Sequence, residues 1–286
     1  MCNFTNTTHS AANPSHQNMQ KSSTLPAVEW LSPLKGVENV IIRVTSSFTG
    51  DTVKARNLER MISMKRIKLS QRQLPDYTRG EEIMNMVTHI SGGGLAVIGS
   101  IFCIVAACRL GGVGNILGAL IYCITMIGVY TMSSIYHGLR AGTAKKVMQV
   151  IDHCAIYFLI AGTYTPILVT GFLPVFPKIG WGLLGMQWGL TALAVTLTAI
   201  DLHKYKVFSM ICYIFMGWGI IFFLPQAMQV MTKPGFYWLL AGGIAYTIGA
   251  VLFGIGKKIP WMHAVFHIFV ILGSLFQYLA IVLYLY

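Results

Sequence analysis

Two histidines spaced four residues apart carry the clearest chemical pattern in the sequence. His263 and His267 stand at positions i and i+4, so on a helix both imidazoles lie on one face, about 6 Å apart along the axis. This spacing is the usual way for one helix to offer two nitrogen ligands to a single metal ion. The pair therefore predicts half of a metal site, with structural packing of two interior histidines as the alternative.

Three further polar residues stand within long apolar runs. Ser133 and His137 repeat the i, i+4 spacing, which places both on one helix face. Asp152 is the one acid within the apolar runs, and a carboxylate buried without a partner costs several kcal/mol. Asp152 therefore predicts a cation or a metal as its partner; the alternative is a residue at the membrane interface whose carboxylate reaches water.

The composition identifies the class of protein that holds these residues. Of the 286 residues, 55% are hydrophobic and 10% are charged, against roughly 25% charged in soluble domains. This excludes disorder over most of the chain, and the six cysteines lack the paired spacing of a disulfide scaffold. Because the apolar runs do not alternate as the strands of a membrane barrel do, we predict an all-α integral membrane protein.

The apolar runs divide into seven predicted spans. Short basic clusters and glycine or proline residues separate them, and each run approaches the roughly 20 residues that cross the hydrocarbon as a helix. The fifth span is the shortest, and Pro225 after it is either a helix end or a kink. The seven spans cover residues 86–108, 113–137, 148–169, 179–200, 207–224, 236–255 and 260–285.

The positive charges predict the orientation of this bundle. Twelve Lys and Arg residues fall between residue 65 and the first span and in alternate loops, whereas the opposite loops hold three, namely Arg109, Lys178 and Lys233. Cytoplasmic loops carry the excess of Lys and Arg, so the N-terminus is predicted to be cytoplasmic and the C-terminus outside. The net charge of +12 therefore reflects the membrane topology. The sequence has no basic, aromatic-rich patch of the kind that indicates nucleic-acid binding.

This topology places the polar residues together. The second span ends at His137, and the third and seventh spans begin just before Asp152 and His263, so all lie near the cytoplasmic boundary. Three imidazoles leave a tetrahedral Zn²⁺ one open position, where water would have its pKa lowered towards about 7. We therefore predict that Zn²⁺ is bound by His137, His263 and His267, with Asp152 and Ser133 catalytic or supporting. A closed, structural zinc that joins three helices is the alternative.

The same residues resemble the signature of a known family. Ser133-x₃-His137, Asp152 and His263-x₃-His267, together with Glu82-x₂-Asn85-x₃-His89 ahead of the first span, are similar to the motifs of the hemolysin III family. That family is grouped with the progestin and adipoQ receptors and, more distantly, with the alkaline ceramidases. The resemblance covers residues 75–286 and is closest to the bacterial members. It implies a seven-helix membrane protein with three histidine ligands to zinc.

The resemblance also implies a function. We expect a multi-pass protein of the plasma membrane whose partners are membrane lipid and a lipid or amide substrate, such as ceramide, which it hydrolyses with zinc. The alternatives are a cytolytic or pore-forming protein and a receptor-like protein, each with a structural zinc. The sequence does not specify an oligomeric state.

The N-terminal part differs in composition from the rest. Residues 1–63 are polar and without helical or strand period, and they contain no signal peptide pattern. We expect this segment to be a disordered tail or an over-extended start, in which case Met64 begins the native chain. Residues 64–85 are predicted to form a basic juxtamembrane segment, and residues 86–286 the membrane domain.

Overall fold

The computed structural model describes residues 69–255 and 259–286, and all regular structure in these ranges is helical. A short 3-10 turn at Leu69–Gln71 precedes the bundle. The helices are α1 (Arg79–Leu110), α2 (Val113–Gly138), α3 (Thr143–Pro166), α4 (Pro177–Ile200), α5 (Lys206–Trp218), α6 (Leu224–Ile255) and α7 (Met262–Tyr284). The predictions for residues 1–63, and for residues 64–68 of the basic segment after them, concern residues outside the described ranges.

Helix α1 begins at Arg79, ahead of the start predicted at residue 86. Thr78 caps it: the Thr78 hydroxyl accepts from the Glu81 backbone N–H at 3.3 Å, and the Glu81 carboxylate accepts from the Thr78 backbone N–H at 2.9 Å. This reciprocal capping box satisfies two N–H groups that a helix start otherwise leaves unpaired. Prediction from hydrophobicity alone placed the start too late, because this first turn is polar, and it left Glu82 outside the helix.

Small residues allow α2 and α3 to lie close together. A Cβ atom at Gly162 in α3 would lie 2.0 Å from Thr125 Oγ1 in α2, and one at Gly118 would lie 3.2 Å from the Cα atom of Pro166. Close helix approach through glycine is typical of packing within membranes. After Pro166 the chain continues through a π-helical turn at Ile167–Phe172, so the apolar helical stretch Thr143–Val175 extends beyond the span predicted at 148–169.

The described residues contain six helical stretches long and apolar enough to cross a membrane, one fewer than the seven predicted. The difference lies in Lys206–Gly254, a single stretch of 49 residues that covers the predicted fifth and sixth spans. The chain leaves α-helical geometry close to Pro225, because α5 ends at Trp218 and a 3-10 helix, Gly219–Phe223, leads into α6. Pro225 itself lies in the first turn of α6, where proline is tolerated. A second interruption lies at Thr232, with φ 62° and ψ 163°, just ahead of Pro234.

Candidate metal centre

Three histidines from two helices converge at one end of the bundle. His137 lies in the last turn of α2, and His263 and His267 lie in the first two turns of α7. One ligand nitrogen from each lies within 4.8 Å of the other two, and all three residues are buried. The three predicted ligands are therefore brought together, although His137 stands more than a hundred residues before the other two in the sequence.

Unpartnered nitrogen atoms indicate that this cluster suits a metal ion. The Nε2 atoms of His137 and His263 are buried and have no hydrogen-bond partner. A buried polar atom left unpaired costs about 1–3 kcal/mol, so two in one cluster point to a ligand that pairs with both. Three imidazoles are also a donor set that zinc binds readily, with a position left for a further ligand.

The partners of the Nδ1 atoms direct the Nε2 atoms towards the cluster. His137 Nδ1 lies 2.7 Å from Glu82 Oε2, and His267 Nδ1 lies 3.2 Å from the backbone oxygen of Asn85. Each of these oxygens can accept from a protonated Nδ1, and that tautomer directs the Nε2 lone pair towards the cluster. The Thr88 hydroxyl, 3.3 Å from His267 Nδ1, adds a third contact from α1.

A buried lysine holds Glu82 from its other side. Lys145, in the first turn of α3, lies with Nζ 2.7 Å from Glu82 Oε1. The same ammonium group donates to the backbone oxygens of Leu139, at 3.0 Å, and His137, at 3.4 Å. These carbonyls belong to the end of α2, where a helix leaves oxygens unpaired. Lys145 thus joins Glu82 to the C-terminus of the helix that carries His137.

The start of α7 is fixed by a second carboxylate of α1. Trp261, the residue before α7, adopts φ 65°, a left-handed conformation that is unfavourable for a residue with a Cβ atom. Its backbone N–H donates to Glu81 Oε1 at 2.8 Å. Because His263 follows two residues later, this contact sets the position from which α7 carries both of its histidines into the cluster.

Ser133 and Asp152 lie on the wall of one internal cavity together with His263 and His267. Asp152 Oδ2 also lies 3.8 Å from His153 Nδ1. The Asp152 side chain is 14% exposed, which leaves the carboxylate accessible from the cavity. All five residues singled out in the sequence therefore occupy one region, while their chemical roles stay predictions.

The cavity extends from this region into the apolar interior. Its volume is about 690 Å³, within the range of pockets that enclose small organic ligands. Leu159, Ile160, Leu239 and Val270 are among its apolar lining residues, and Gln277 lines it further along α7. His267 and Gln277 are ten residues apart, which corresponds to about 15 Å along a helix. An elongated, mostly apolar molecule fits such a space.

The residues before α1 form one wall of the cavity near the histidines. Segment 73–78 lines the cavity, and the half-buried ring of Tyr77 stacks on His263 with centroids 5.1 Å apart. Burial, together with the nearby carboxylates of Glu82 and Glu81, raises the pKa of the Tyr77 hydroxyl above its usual value. The hydroxyl therefore stays neutral at physiological pH, and Tyr77 covers the histidines as an uncharged ring.

A fourth imidazole lies beside the cluster. The ring of His89 stacks on that of His267, with centroids 3.7 Å apart and an interplanar angle of 26°. Both of its ring nitrogens are buried without a hydrogen-bond partner, as are both side-chain polar atoms of Asn85 one turn earlier in α1. His89 also lines the cavity, so the motif Glu82-x₂-Asn85-x₃-His89 forms the α1 side of the site.

Sequence reasoning did not assign the residues that support the cluster. Thr88, Lys145 and Tyr77 have no motif spacing to the histidines, and their roles depend on contacts between helices. Glu82 and His89 were visible only through a resemblance to a family motif. Charge offered one further indication, because Glu82 and Lys145 have opposite charge and stand at the cytoplasmic ends of their predicted spans.

The sequence of the chain is similar to those of known proteins. The sequence model of the haemolysin-III-related family matches residues 77–278. The chain is 34% identical to hemolysin-3 of Bacillus cereus over 204 residues, which is 71% of this chain and 91% of the relative. It is 33% identical to a hemolysin-3 homolog of Bacillus subtilis over 208 residues, 73% of this chain and 96% of the relative.

A human protein and the solved structures complete the comparison. The chain is 29% identical to the human monocyte to macrophage differentiation factor over 178 residues, 59% of this chain and 70% of that protein. No solved structure matches the chain. The family match covers α1 to most of α7 and includes every residue of the histidine cluster. The chain therefore belongs to the haemolysin III family of multi-pass membrane proteins.

Proposed function

We propose that the protein is a zinc-dependent hydrolase that cleaves a lipid amide at the cytoplasmic side of the plasma membrane. The observation that carries this proposal is the position of the histidine cluster at one end of a mostly apolar cavity. His137, His263 and His267 would hold the ion. Bound there, zinc would supply Lewis acidity towards a carbonyl group and a water molecule.

The remaining site residues have roles that follow from their chemistry. Asp152, which faces the cavity, would orient the attacking water and accept its proton. Ser133 would donate a hydrogen bond to the oxygen that gains negative charge as water adds to the amide carbon. The C–N bond then breaks, the proton passes to the nitrogen, and a fatty acid and an amine leave.

The cavity supports an elongated acyl chain as the bound part of the substrate. Its apolar wall runs away from the cluster along α7 towards Gln277, in the direction that an acyl chain would take with its amide at the histidines. Burying such a chain stabilises binding by about 25 cal/mol per Å² of apolar surface. A lipid amide such as ceramide combines this chain with the bond to be cleaved.

The proposal includes a topology of seven crossings. The stretch Lys206–Gly254 has 49 residues, which as one helix would measure about 74 Å against a hydrocarbon layer of about 30 Å. The interruption at Thr232 divides it into two parts, each long enough to cross once. With seven crossings and the excess of Lys and Arg on one side, the N-terminus is cytoplasmic and the C-terminus outside.

Hydrolysis of a fluorescent long-chain N-acyl sphingosine by the purified protein in detergent tests the activity. We expect release of the fatty acid by the wild-type protein and a loss of about 100-fold or more in Asp152→Ala, which removes the general base. Ser134→Ala is the matched control, since Ser134 lies in the same turn of α2 as Ser133 and bonds only to the Tyr130 backbone oxygen. An inactive wild-type protein that contains zinc would contradict the proposal.

Membrane lysis is the second candidate, because the bacterial relatives carry the name hemolysin-3. In that case the histidine cluster would hold a structural metal, and ions would leak from liposomes that contain the protein. Leakage that persists in Asp152→Ala, without hydrolysis by the wild-type protein, would favour lysis over catalysis.

A further inference from the structure

We infer that Glu82, held in place by Lys145, is a positioning residue that fixes the tautomer and orientation of His137 for metal binding. The inference rests on the proposed zinc site and goes beyond it, because it assigns a role to two residues that touch neither the ion nor the substrate. Glu82 and Lys145 come from the first turns of α1 and α3, while His137 comes from the last turn of α2.

The contact between Glu82 and His137 determines which nitrogen faces the cluster. Glu82 Oε2 lies 2.7 Å from His137 Nδ1, the length of a charge-assisted hydrogen bond. An ionised carboxylate only accepts, so the proton lies on Nδ1 and the Nε2 lone pair is free. Nε2 is the His137 atom that is buried without a partner, so the contact prepares the ligand atom that the metal needs.

Lys145 fixes Glu82 in turn. Its Nζ atom lies 2.7 Å from Glu82 Oε1, so the two oxygens of one carboxylate are used by different partners. The Lys145 side chain is 6% exposed and that of Glu82 is 18% exposed, so water screens the pair little. Lys145 also donates to the Leu139 and His137 carbonyls, so the carboxylate cannot turn without moving the end of α2.

These contacts hold His137 and Glu82 each in one orientation. Rotation of the His137 ring is opposed by Glu82, and rotation of Glu82 is opposed by Lys145. Removal of the carboxylate would leave the imidazole free to change tautomer and would leave a buried ammonium group without an opposite charge. Partners of this kind typically contribute 10–100-fold to metal affinity.

Zinc affinity of the full-length protein in detergent, measured by competition with a chromophoric chelator, tests the inference. We expect Glu82→Gln to bind zinc about 10-fold or more weakly than the wild type. The double variant Glu82→Gln/Lys145→Met should recover part of the loss, because the amide oxygen still accepts from Nδ1–H and no buried charge stays unpaired. Ser134→Ala, one turn from His137, should match the wild type.

A second measurement needs no variant of Glu82. Nitrogen-15 NMR of histidine-labelled, metal-free protein should show His137 with protonated Nδ1 and unprotonated Nε2, the signal being assigned by its loss in His137→Asn. A protonated Nε2 would overturn the inference even if Glu82→Gln failed to fold. Unchanged zinc affinity in Glu82→Gln would overturn it while leaving the proposed function intact, whereas absence of zinc from the wild type would overturn both.

Discussion

The ring of Tyr77 stacks on the ring of His263, with centroids 5.1 Å apart and an interplanar angle of 26°. The segment that carries Tyr77 is anchored at both ends. Before it, Arg72 Nη2 donates to the Ile200 backbone oxygen at 3.1 Å, and after it Thr78 caps α1. A chain segment that precedes the first membrane helix therefore covers the histidine cluster.

Removal of the Tyr77 ring should open a route from solvent to the cluster. We expect Tyr77→Ala to release bound zinc to excess chelator several-fold faster than the wild type, because His263 loses the ring that covers it. Tyr77→Phe keeps the ring and should release zinc at the wild-type rate. Equal rates in Tyr77→Ala and the wild type would show that the segment does not control access.

Loss of the Glu81 carboxylate should destabilise the start of α7. In Glu81→Ala the Trp261 backbone N–H loses its acceptor at 2.8 Å, and a hydrogen bond to a charged group contributes about 1.5–3 kcal/mol. We expect thermal unfolding at a lower temperature and weaker zinc binding, since α7 carries two ligands. Asp76→Ala, which removes an exposed acid of the preceding segment, should unfold like the wild type. A wild-type melting temperature for Glu81→Ala would argue against this role.

A bulky side chain in the cavity should discriminate against long acyl chains. Gly243 lines the cavity, and a Cβ atom there would have no heavy atom within 4 Å, so Gly243→Phe projects a ring into the space without a backbone clash. We expect activity on a palmitoyl amide to fall by about tenfold or more, with activity on an acetyl amide nearly unchanged.

The control for this variant is Gly185→Phe. Gly185 is exposed on α4, and a Cβ atom there also meets no heavy atom within 4 Å. Its activity on both amides should equal that of the wild type. If Gly243→Phe lowered both activities equally, the cavity would not be the site of the acyl chain.

The orientation and the double crossing of Lys206–Gly254 can be tested by labelling cysteines in intact cells. In a Cys108→Ser background, Lys233→Cys should react with a membrane-impermeant maleimide, because the proposed topology places Lys233, just after the interruption at Thr232, outside. Arg140→Cys, exposed in the loop between α2 and α3, should react only after permeabilisation. Labelling of both from the same side would contradict the seven-crossing topology.

The cluster could be predicted because its ligands follow simple spacing and hydropathy rules. The i, i+4 pair of His263 and His267 and the end of the second span at His137 place three imidazoles at one boundary once the helices alternate in direction. The contacts of Glu82, Lys145 and Tyr77 could not be predicted, because each depends on how three helices pack.

Helix boundaries were less predictable than helix existence. Hydropathy placed the start of the first span at residue 86, whereas the capping box of Thr78 and Glu81 starts α1 at Arg79. An end or a kink was predicted at Pro225, and the α-helix does change to a 3-10 helix just before it, at Gly219–Phe223, whereas the interruption at Thr232 was not predicted. Both differences arise from backbone hydrogen bonding, which residue hydrophobicity does not report.

The metal content of the purified protein tests the central claim most directly. Elemental analysis of the wild-type protein, purified in detergent without added metal or chelator, should give about one zinc per chain. His137→Ala, His263→Ala and His267→Ala should each hold far less, while Ser134→Ala should match the wild type. A folded wild-type protein without zinc, or the same zinc content after loss of any of the three histidines, would contradict the account.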